Sequence, residues 1–318
     1  MINIYIAGHN GMVGSAIVRQ FKGKSVNLIT KNRKDLNLLD QINVSKFFKD
    51  NLIDHVYLCA AKVGGIYANI KYPADFIYQN LVIQNNIIHS AYASGVKKLL
   101  FLGSSCIYPK NYQRKIKEKD LLSAPIDSTN EYYAIAKIAG LKMCEAYRKQ
   151  YGFDARAIMP SNLYGINDNY SYPNNHIVPA LVQKLYHAKA NNYDSVEIWG
   201  TGIAKRELLY ADDLARAALL IMNLPIKKYS KLTEKDGNFV NVAPKKDISI
   251  KNIANEIKKA VGYQGKLIFN MDSSMDGVKR KKLCTLKIES IGWKQLTDLE
   301  AGLKNTVNDY IRKITDKA

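Results

Sequence analysis

Residues 1–21 read MINIYIAGHNGMVGSAIVRQF, and the fold follows from how this stretch divides. Ile2–Ala7 is a short apolar run with the composition of a strand. Gly8, Gly11 and Gly14 then form a G-x-x-G-x-x-G turn, and Met12–Phe21 continues with apolar residues at helical spacing. A strand, a glycine turn and a helix in that order open a βαβ unit built for a dinucleotide. Glycines permit a tight turn and close backbone approach, while the helix N-terminus faces the pyrophosphate. The spacing is a variant of the usual G-x-G-x-x-G, so a purely structural turn is the alternative reading.

Working outward, short apolar runs alternate with helical patterns through the first half. Strands are expected at Val26–Thr30, His55–Cys59, Lys98–Leu102 and Ala155–Pro160, and helices at Val44–Asp50, Pro73–Ser94 and Tyr132–Tyr151. This alternation predicts a doubly wound α/β sheet of the Rossmann type, with parallel strands. Later elements are a strand at Val196–Trp199, a helix at Ala211–Leu224, a strand at Phe239–Val242, a helix at Ile250–Val261 and a strand at Lys266–Phe269. Regular βαβ alternation weakens there, which points to a smaller α/β substrate-binding domain. The expected division gives residues 1–165 and about 206–243 to the dinucleotide-binding domain, and about 166–205 and 244–318 to the substrate domain. Tyr108–Thr129 reads as a loop over a site, and Lys227–Gly237 (KKYSKLTEKDG) as an exposed surface connection.

The end of the second strand decides between NAD and NADP. NAD binders place an acid there to accept the ribose 2′-hydroxyl. Here the sequence is Thr30-Lys31-Asn32-Arg33, and a cationic pair suits a 2′-phosphate. The expected cofactor is therefore NADPH, with solvated surface as the alternative for Lys31 and Arg33. Asp40 reads equally as a partner for the adenine amine or as a helix N-cap.

The catalytic reading starts from Tyr133-Ala-Ile-Ala-Lys137, which puts a phenol and an ammonium on one helix face. A nearby ammonium favours the ionised phenol, so the Tyr133 pKa is expected below its ordinary ~10. Such a tyrosine donates a proton to a ketone oxygen as hydride reaches the carbon, and the lysine also holds the nicotinamide ribose. Gly103-Ser104-Ser105-Cys106 follows the strand KKLLFL, where residues past strand ends line the ligand crevice. Ser104 is the candidate donor to the reacting carbonyl; a plain serine turn is the alternative.

Composition excludes several classes. The chain has 318 residues, 47% hydrophobic, a range that supports a packed α/β protein. No apolar run approaches the ~20 residues of a membrane span, and the opening run lacks a signal-peptide pattern, so a cytoplasmic protein is expected. Cys59, Cys106, Cys144 and Cys284 form no C-x-x-C pair and no metal-ligand spacing with the five histidines. The net charge of +19 reads as a lysine-rich bias; KRKK at 279–282 is the one dense cluster, and no nucleic-acid motif accompanies it. A basic nucleic-acid binder and a cofactor-sensing module with a degenerate site are the non-enzymatic rivals; the Ser–Tyr–Lys set weighs against the latter.

The strings AGHNGMVGSAI, AAKVGGI, YPADFIYQN, LGSSCIYPK and YAIAKIAG, in this order, resemble the extended short-chain dehydrogenases/reductases, and within them the GDP-L-fucose synthase family. The resemblance runs from Ile4 to about Trp293 and is densest before residue 210. It implies NADPH-dependent reduction at C4 of a GDP-4-keto-6-deoxy sugar, with Gly8, Gly11, Met12 and Gly14 in the cofactor loop. It also implies that Cys106 and His176 exchange protons at C3 and C5. The residues alone read as a small hydrophobe and a polar loop position. By the same resemblance Asn162, Lys184, Trp199, Arg206 and Lys281 hold the GDP sugar, although Trp199 reads equally as core. Asp212 and Asp213 read as the start of a helix. A homodimer through the helices near 80–94 and 132–150 is implied.

Three positions depart from the family pattern. Lys184 stands where an arginine reaches the substrate, MDGVKRKKLC at 275–284 lacks the proline before Arg-Lys, and Gly165-Ile-Asn replaces Gly-Pro. These leave a second reading open: a C4 reductase of a GDP-4-keto-6-deoxy-heptose for surface polysaccharide synthesis.

Overall fold

The structure, a computed structural model, describes residues 1–110, 112, 114–171, 175–235, 237–271 and 278–316. The chain runs β1 (Ile2–Ala7), α1 (Met12–Phe21), β2 (Val26–Ile29), α2 (Gln41–Asp50), β3 (His55–Leu58), α3 (Ile66–Lys71), α4 (Pro73–Ala93) and β4 (Lys98–Leu102). It continues through α5 (Glu131–Tyr151), β5 (Asp154–Pro160), β6 (Asn162–Tyr164), α6 (Ile177–Ala190), β7 (Ser195–Ile198), β8 (Lys205–Arg206) and β9 (Leu208–Tyr210). The remainder is α7 (Ala211–Asn223), α8 (Ile226–Thr233), β10 (Val240–Val242), β11 (Ile248–Ser249), α9 (Ile250–Val261), β12 (Lys266–Phe269), α10 (Leu286–Ser290) and α11 (Leu299–Thr315).

The central sheet has the order β10-β5-β4-β3-β1-β2, and every neighbouring pair is parallel. Its strands are apolar at successive positions because both faces are covered. In β1, Tyr5 and Ala7 point into one core with Phe47, Phe48 and Ile87 from α2 and α4. Ile4 and Ile6 point into the other, with Ile17 of α1 and Leu214 and Ala218 of α7. β4 repeats the alternation, with Leu99 and Phe101 on the first face and Leu100 and Leu102 on the second. Each such large side chain contributes roughly 1.5–3 kcal/mol of burial.

A third core lies away from this sheet. It joins Val178, Val182 and Leu185 of α6, Ile253 and Ile257 of α9, and Leu303 and Val307 of α11 over the parallel pair β7–β12. Two further short pairs, β6 with β9 and antiparallel β8 with β11, join residues near 162–164 and 205–206 to later chain. The chain also crosses back: Ile288 and Trp293 pack into the second core.

The expected surface connection at Lys227–Gly237 is corrected. Residues 226–233 form α8, and Tyr229 is 0% exposed. Its hydroxyl accepts from Ala157 N–H at 3.0 Å and donates to the Asn238 carbonyl at 3.0 Å. The lysines of that run occupy the outer face of an amphipathic helix, so their density hid the inward tyrosine and Thr233. Asp236, in the same stretch, lies outside the described residues.

Asp212 and Asp213 open α7 as expected, and each also holds a distant element. Arg19 donates to both Asp212 oxygens, at 2.9 and 2.7 Å, tying α1 to α7. Asp213 is fully buried, accepts from Leu296 N–H at 2.9 Å and Thr297 N–H at 3.1 Å, and pairs with Arg216. Its carbonyl accepts from the Trp293 indole at 3.2 Å. Removing this fully buried carboxylate leaves two backbone N–H donors and the Arg216 guanidinium without their partner. Asp213→Ala is expected to lose about 3 kcal/mol of stability, read as a lowered urea midpoint.

Candidate active site

The strand order reverses at β1, with β2 on one side and β3 on the other, so a crevice opens beyond the carboxyl ends of β1 and β3. The glycine turn sits at its mouth. Gly8 has φ +85°, and a Cβ there would lie 2.8 Å from the Ala60 backbone. A Cβ at Gly14 would overlap the Gly8 carbonyl, so only glycine lets α1 start this close to the turn. Gly11 caps α1 without a side-chain bond and Met12 begins the helix, with no acid in the first turn. That leaves the helix start open to an anion. The His9 Nδ1 atom is buried in this turn without a hydrogen-bond partner. A cradle that a Cβ would fill, a free helix start and an orphaned polar atom fit a dinucleotide phosphate.

Lys31 and Arg33 stay exposed just past β2, on a turn that the Asn32 side chain organises by accepting from the Lys34 and Asp35 N–H groups. Asp40 is seen as the N-cap of α2, accepting from Asn43 N–H at 3.0 Å and from the Asn43 amide at 2.7 Å.

Four of the five sequence-expected catalytic residues, Ser104, Cys106, Tyr133 and Lys137, come together past β4. Ser104 caps a 3₁₀ turn over Ser105–Ile107 and accepts from Cys106 N–H at 3.3 Å. Lys137 is 5% exposed; its ammonium donates to the Leu102 carbonyl at 2.9 Å and lies 4.9 Å from the Phe101 ring centroid. Burial pulls its pKa down to about 8. The Tyr133 ring is 5.8 Å from that ammonium and edge-on to Phe76.

Here the expectation for Tyr133 is corrected. Burial raises its pKa above the ordinary phenol value, Cys106 adds to the rise, and a hydrogen bond with Ser104 only partly offsets it. The ammonium is committed to the Leu102 carbonyl, so desolvation wins over attraction. The phenol is therefore protonated at neutral pH, the form a proton donor needs.

Among the residues expected to hold substrate, Lys281 reaches this cluster directly. Its ammonium donates to the carbonyls of Ser105 and Tyr108, at 3.3 and 3.1 Å. Burial lowers its pKa, while Cys106 and Asp127 pull it upward and Arg206 pushes it down. Arg206 donates to the carbonyls of Lys205 and Val278, at 2.9 and 2.7 Å. Trp199 is 61% exposed, which removes its core reading, and the Lys184 ammonium sits 5.7 Å from its ring. Lys184 also donates to the Glu197 carbonyl at 2.5 Å, and burial lowers its pKa. Asn162 is exposed at the start of β6. His176 is the N-cap of α6. Its surface is exposed to water, and desolvation by the surrounding protein holds its pKa below the usual value. Residues 275–277 of the divergent loop lie outside the described residues.

The basic run 279–282 faces inward at Lys281, while Arg280 and Lys282 both pair with Asp247. Among the described residues no group of three or more His, Cys, Asp or Glu side chains gathers as metal ligands, and no helix is long and apolar enough to cross a membrane.

Two supporting residues were not read from the sequence. The Asn130 amide donates to Cys106 Sγ at 3.5 Å. Buried Asn80 accepts from Lys62 N–H at 3.0 Å and donates to the Lys62 carbonyl at 3.0 Å, fixing the loop after β3. The available signals were an asparagine three residues before Tyr133 and one inside an apolar helix face.

Residues 4–232 match the family described as NAD dependent epimerase/dehydratase. The chain is 48% identical to a GDP-L-fucose synthase of Escherichia coli K12, over 97% of this chain and 96% of that one. It superposes with TM-score 0.91 on a GDP-6-OMe-4-keto-L-xylo-heptose reductase from C. jejuni, at 35% identity and 98% coverage of each. A GDP-mannoheptose C4 reductase from Campylobacter jejuni with NADP bound gives TM-score 0.86, at 38% identity and again 98% of each.

The buried Lys137 makes stability depend on pH with a definite sign. The folded chain releases this proton near pH 8, whereas the unfolded chain holds it to about 10.5. Stability of the protein relative to Lys137→Met should therefore rise between those values, by about 3 kcal/mol in full. Chemical unfolding of both proteins at several pH values measures it.

Proposed function

The chain belongs to the NAD dependent epimerase/dehydratase family and, within it, to the GDP-L-fucose synthases, and from that membership we propose that it reduces C4 of a GDP-linked 4-keto-6-deoxy sugar with NADPH, after exchanging the protons at C3 and C5. The observation that carries this reading is the convergence of Ser104, Cys106, Tyr133 and Lys137 at the end of β4. Gly8, Gly11, Met12 and Gly14 would hold the cofactor's diphosphate, Lys31 and Arg33 its 2′-phosphate, and Asp40 would meet the adenine amine. When bound, NADPH supplies the hydride for C4.

The chain's own groups then divide the work. A 4-ketone acidifies the protons at C3 and C5. Cys106 and His176 exchange the proton between them, one group taking it from one face of the carbon and the other returning one from the opposite face, which inverts the carbon. Asn130 steadies the sulfur. In the reduction, Ser104 orients the C4 oxygen, Tyr133 gives it the phenolic proton, and the Lys137 ammonium stabilises the phenolate left behind and binds the nicotinamide ribose. Arg206, Lys281 and Lys184 suit a diphosphate, the exposed face of Trp199 suits a base or sugar, and Asn162 reaches the sugar from the start of β6.

Residues 1–165 and about 206–243 form the cofactor domain, with about 166–205 and 244–318 binding the sugar nucleotide; the separate core of α6, α9 and α11 supports this division, while Leu283, Ile288 and Trp293 pack back into the cores of the central sheet. A cytoplasmic homodimer is the assembly, supported by exposed Tyr78, Tyr132, Ile135 and Tyr151 on α4 and α5, and tested by its mass in solution. Similarity to the Campylobacter heptose reductases favours C4 reduction of a GDP-linked heptose as the second reading.

With NADPH and GDP-4-keto-6-deoxymannose in deuterated water, oxidation with deuterium at both C3 and C5 is expected. Oxidation without deuterium identifies a C4 reductase alone, and no oxidation shifts the reading to the heptose. Cys106→Ser is expected to cut deuterium incorporation by about 100-fold or more, and unchanged exchange overturns its role. Replacing Lys31 and Arg33 together by alanine should raise the NADPH KM by about tenfold or more and leave the NADH KM unchanged.

A further inference from the structure

Residues 278–284 are tied down from both sides. On one side lies the run Lys205-Arg206-Glu207. Lys205 N–H donates to the Lys279 carbonyl at 2.9 Å, Arg206 donates to the Val278 carbonyl at 2.7 Å, and Glu207 Oε2 accepts from Leu283 N–H at 2.9 Å. On the other side, Ile116 N–H donates to the Lys282 carbonyl at 2.7 Å, and Cys284 N–H donates to the Ile116 carbonyl at 2.8 Å. Midway along this strap, Lys281 reaches the carbonyls of Ser105 and Tyr108, which flank Cys106 in the chain.

Glu207 is the costly member of this arrangement. It is 2% exposed, and its Oε1 is buried without a hydrogen-bond partner. Burial pushes its pKa up to about 7 and the nearby Asp247 adds to the rise, while the Leu283 N–H, Lys282 and Lys115 pull it down. An apolar residue of similar volume would avoid that penalty. What the carboxyl supplies is an acceptor for Leu283, two residues beyond Lys281 in the strap.

We propose that Glu207 is a positioning residue for the sugar nucleotide: through Leu283 N–H it fixes the strap and so holds Lys281 beside Ser105–Tyr108, in register with Arg206. The proposal rests on the assignment of Lys281 and Arg206 to the GDP moiety made above. No described bond links Glu207 to the glycine turn, Lys137 or Tyr133, and the strap's Lys281 meets the catalytic turn at the backbone carbonyls of Ser105 and Tyr108 rather than at a catalytic side chain, so its effect falls on nucleotide binding rather than on hydride transfer.

Glu207→Leu keeps the volume without the acceptor, and Glu207→Gln keeps an acceptor oxygen for Leu283. Calorimetry with GDP as the probe is run on the intact protein, these two variants, Lys281→Ala and the Glu207→Leu/Lys281→Ala pair. Glu207→Leu is expected to weaken GDP binding by about tenfold and to raise the ketosugar KM to match. Its kcat and its NADPH affinity should stay within about twofold of the parent. Glu207→Gln should bind GDP like the parent, and the double variant should lose no more than Lys281→Ala alone. The proposal is overturned if Glu207→Leu binds GDP normally, if Glu207→Gln is as weak as Glu207→Leu, if the two losses add, or if GDP and NADPH affinity fall together. If the parent itself fails to bind GDP, the functional reading falls instead, which is a separate result.

Discussion

The seat of α5 on β4 sets the geometry on which the site depends. Gly140 has no side chain, and a Cβ there would come within 2.6 Å of the Phe101 ring and 2.5 Å of the Gln84 amide oxygen. The helix therefore lies directly on the strand and on α4. Gln84 fixes its height by donating to the Ala136 carbonyl at 2.7 Å. At that height the Lys137 ammonium meets the Leu102 carbonyl at the end of the strand, and Tyr133, one turn earlier, meets Ser104 just beyond it. A bulkier residue at 140 would lift both catalytic groups away from the serine.

Charge is placed inside this protein where it holds something. Lys137 is buried against a carbonyl and an aromatic face, Asp213 against two backbone N–H groups, and Glu207 against one. Each burial is unfavourable for an isolated charge and tolerable because a fixed donor or acceptor waits for it. The same desolvation tunes the site: it keeps the Tyr133 phenol protonated, lowers the Lys137 ammonium toward neutral pH and favours the neutral His176 imidazole. These are states suited to proton transfer near physiological pH.

Much of the site was legible in the chain because it is made of local patterns. The glycine turn, the Tyr133–Lys137 pair one helical turn apart and the serine past a strand end are each set by neighbours in sequence. Strand β4 and helix α9 begin and end at the residues their patterns mark, since a strand buried on both faces and a strongly amphipathic helix leave few alternative boundaries. Helix α8 was missed because its lysines speak for the surface and its one anchoring tyrosine packs under a strand far away in sequence. Asn130 and Glu207 were silent for a related reason: each acts through a single bond to a residue 24 or 76 positions away.

The sequence by itself determined a parallel sheet, its first five strands, the helices α1, α2, α4 and α5 between them, and the types of group brought to the crevice, because periodicity, glycine spacing and residue chemistry are written locally. Only the tertiary structure decided how those groups behave. It turned Tyr133 into a protonated donor rather than a lowered-pKa phenol, made Trp199 a surface face rather than core, and drew Lys281 onto the catalytic turn by a strap held from distant strands. Desolvation and long-range hydrogen bonding depend on which segments meet in space, and no window of neighbouring residues contains that information.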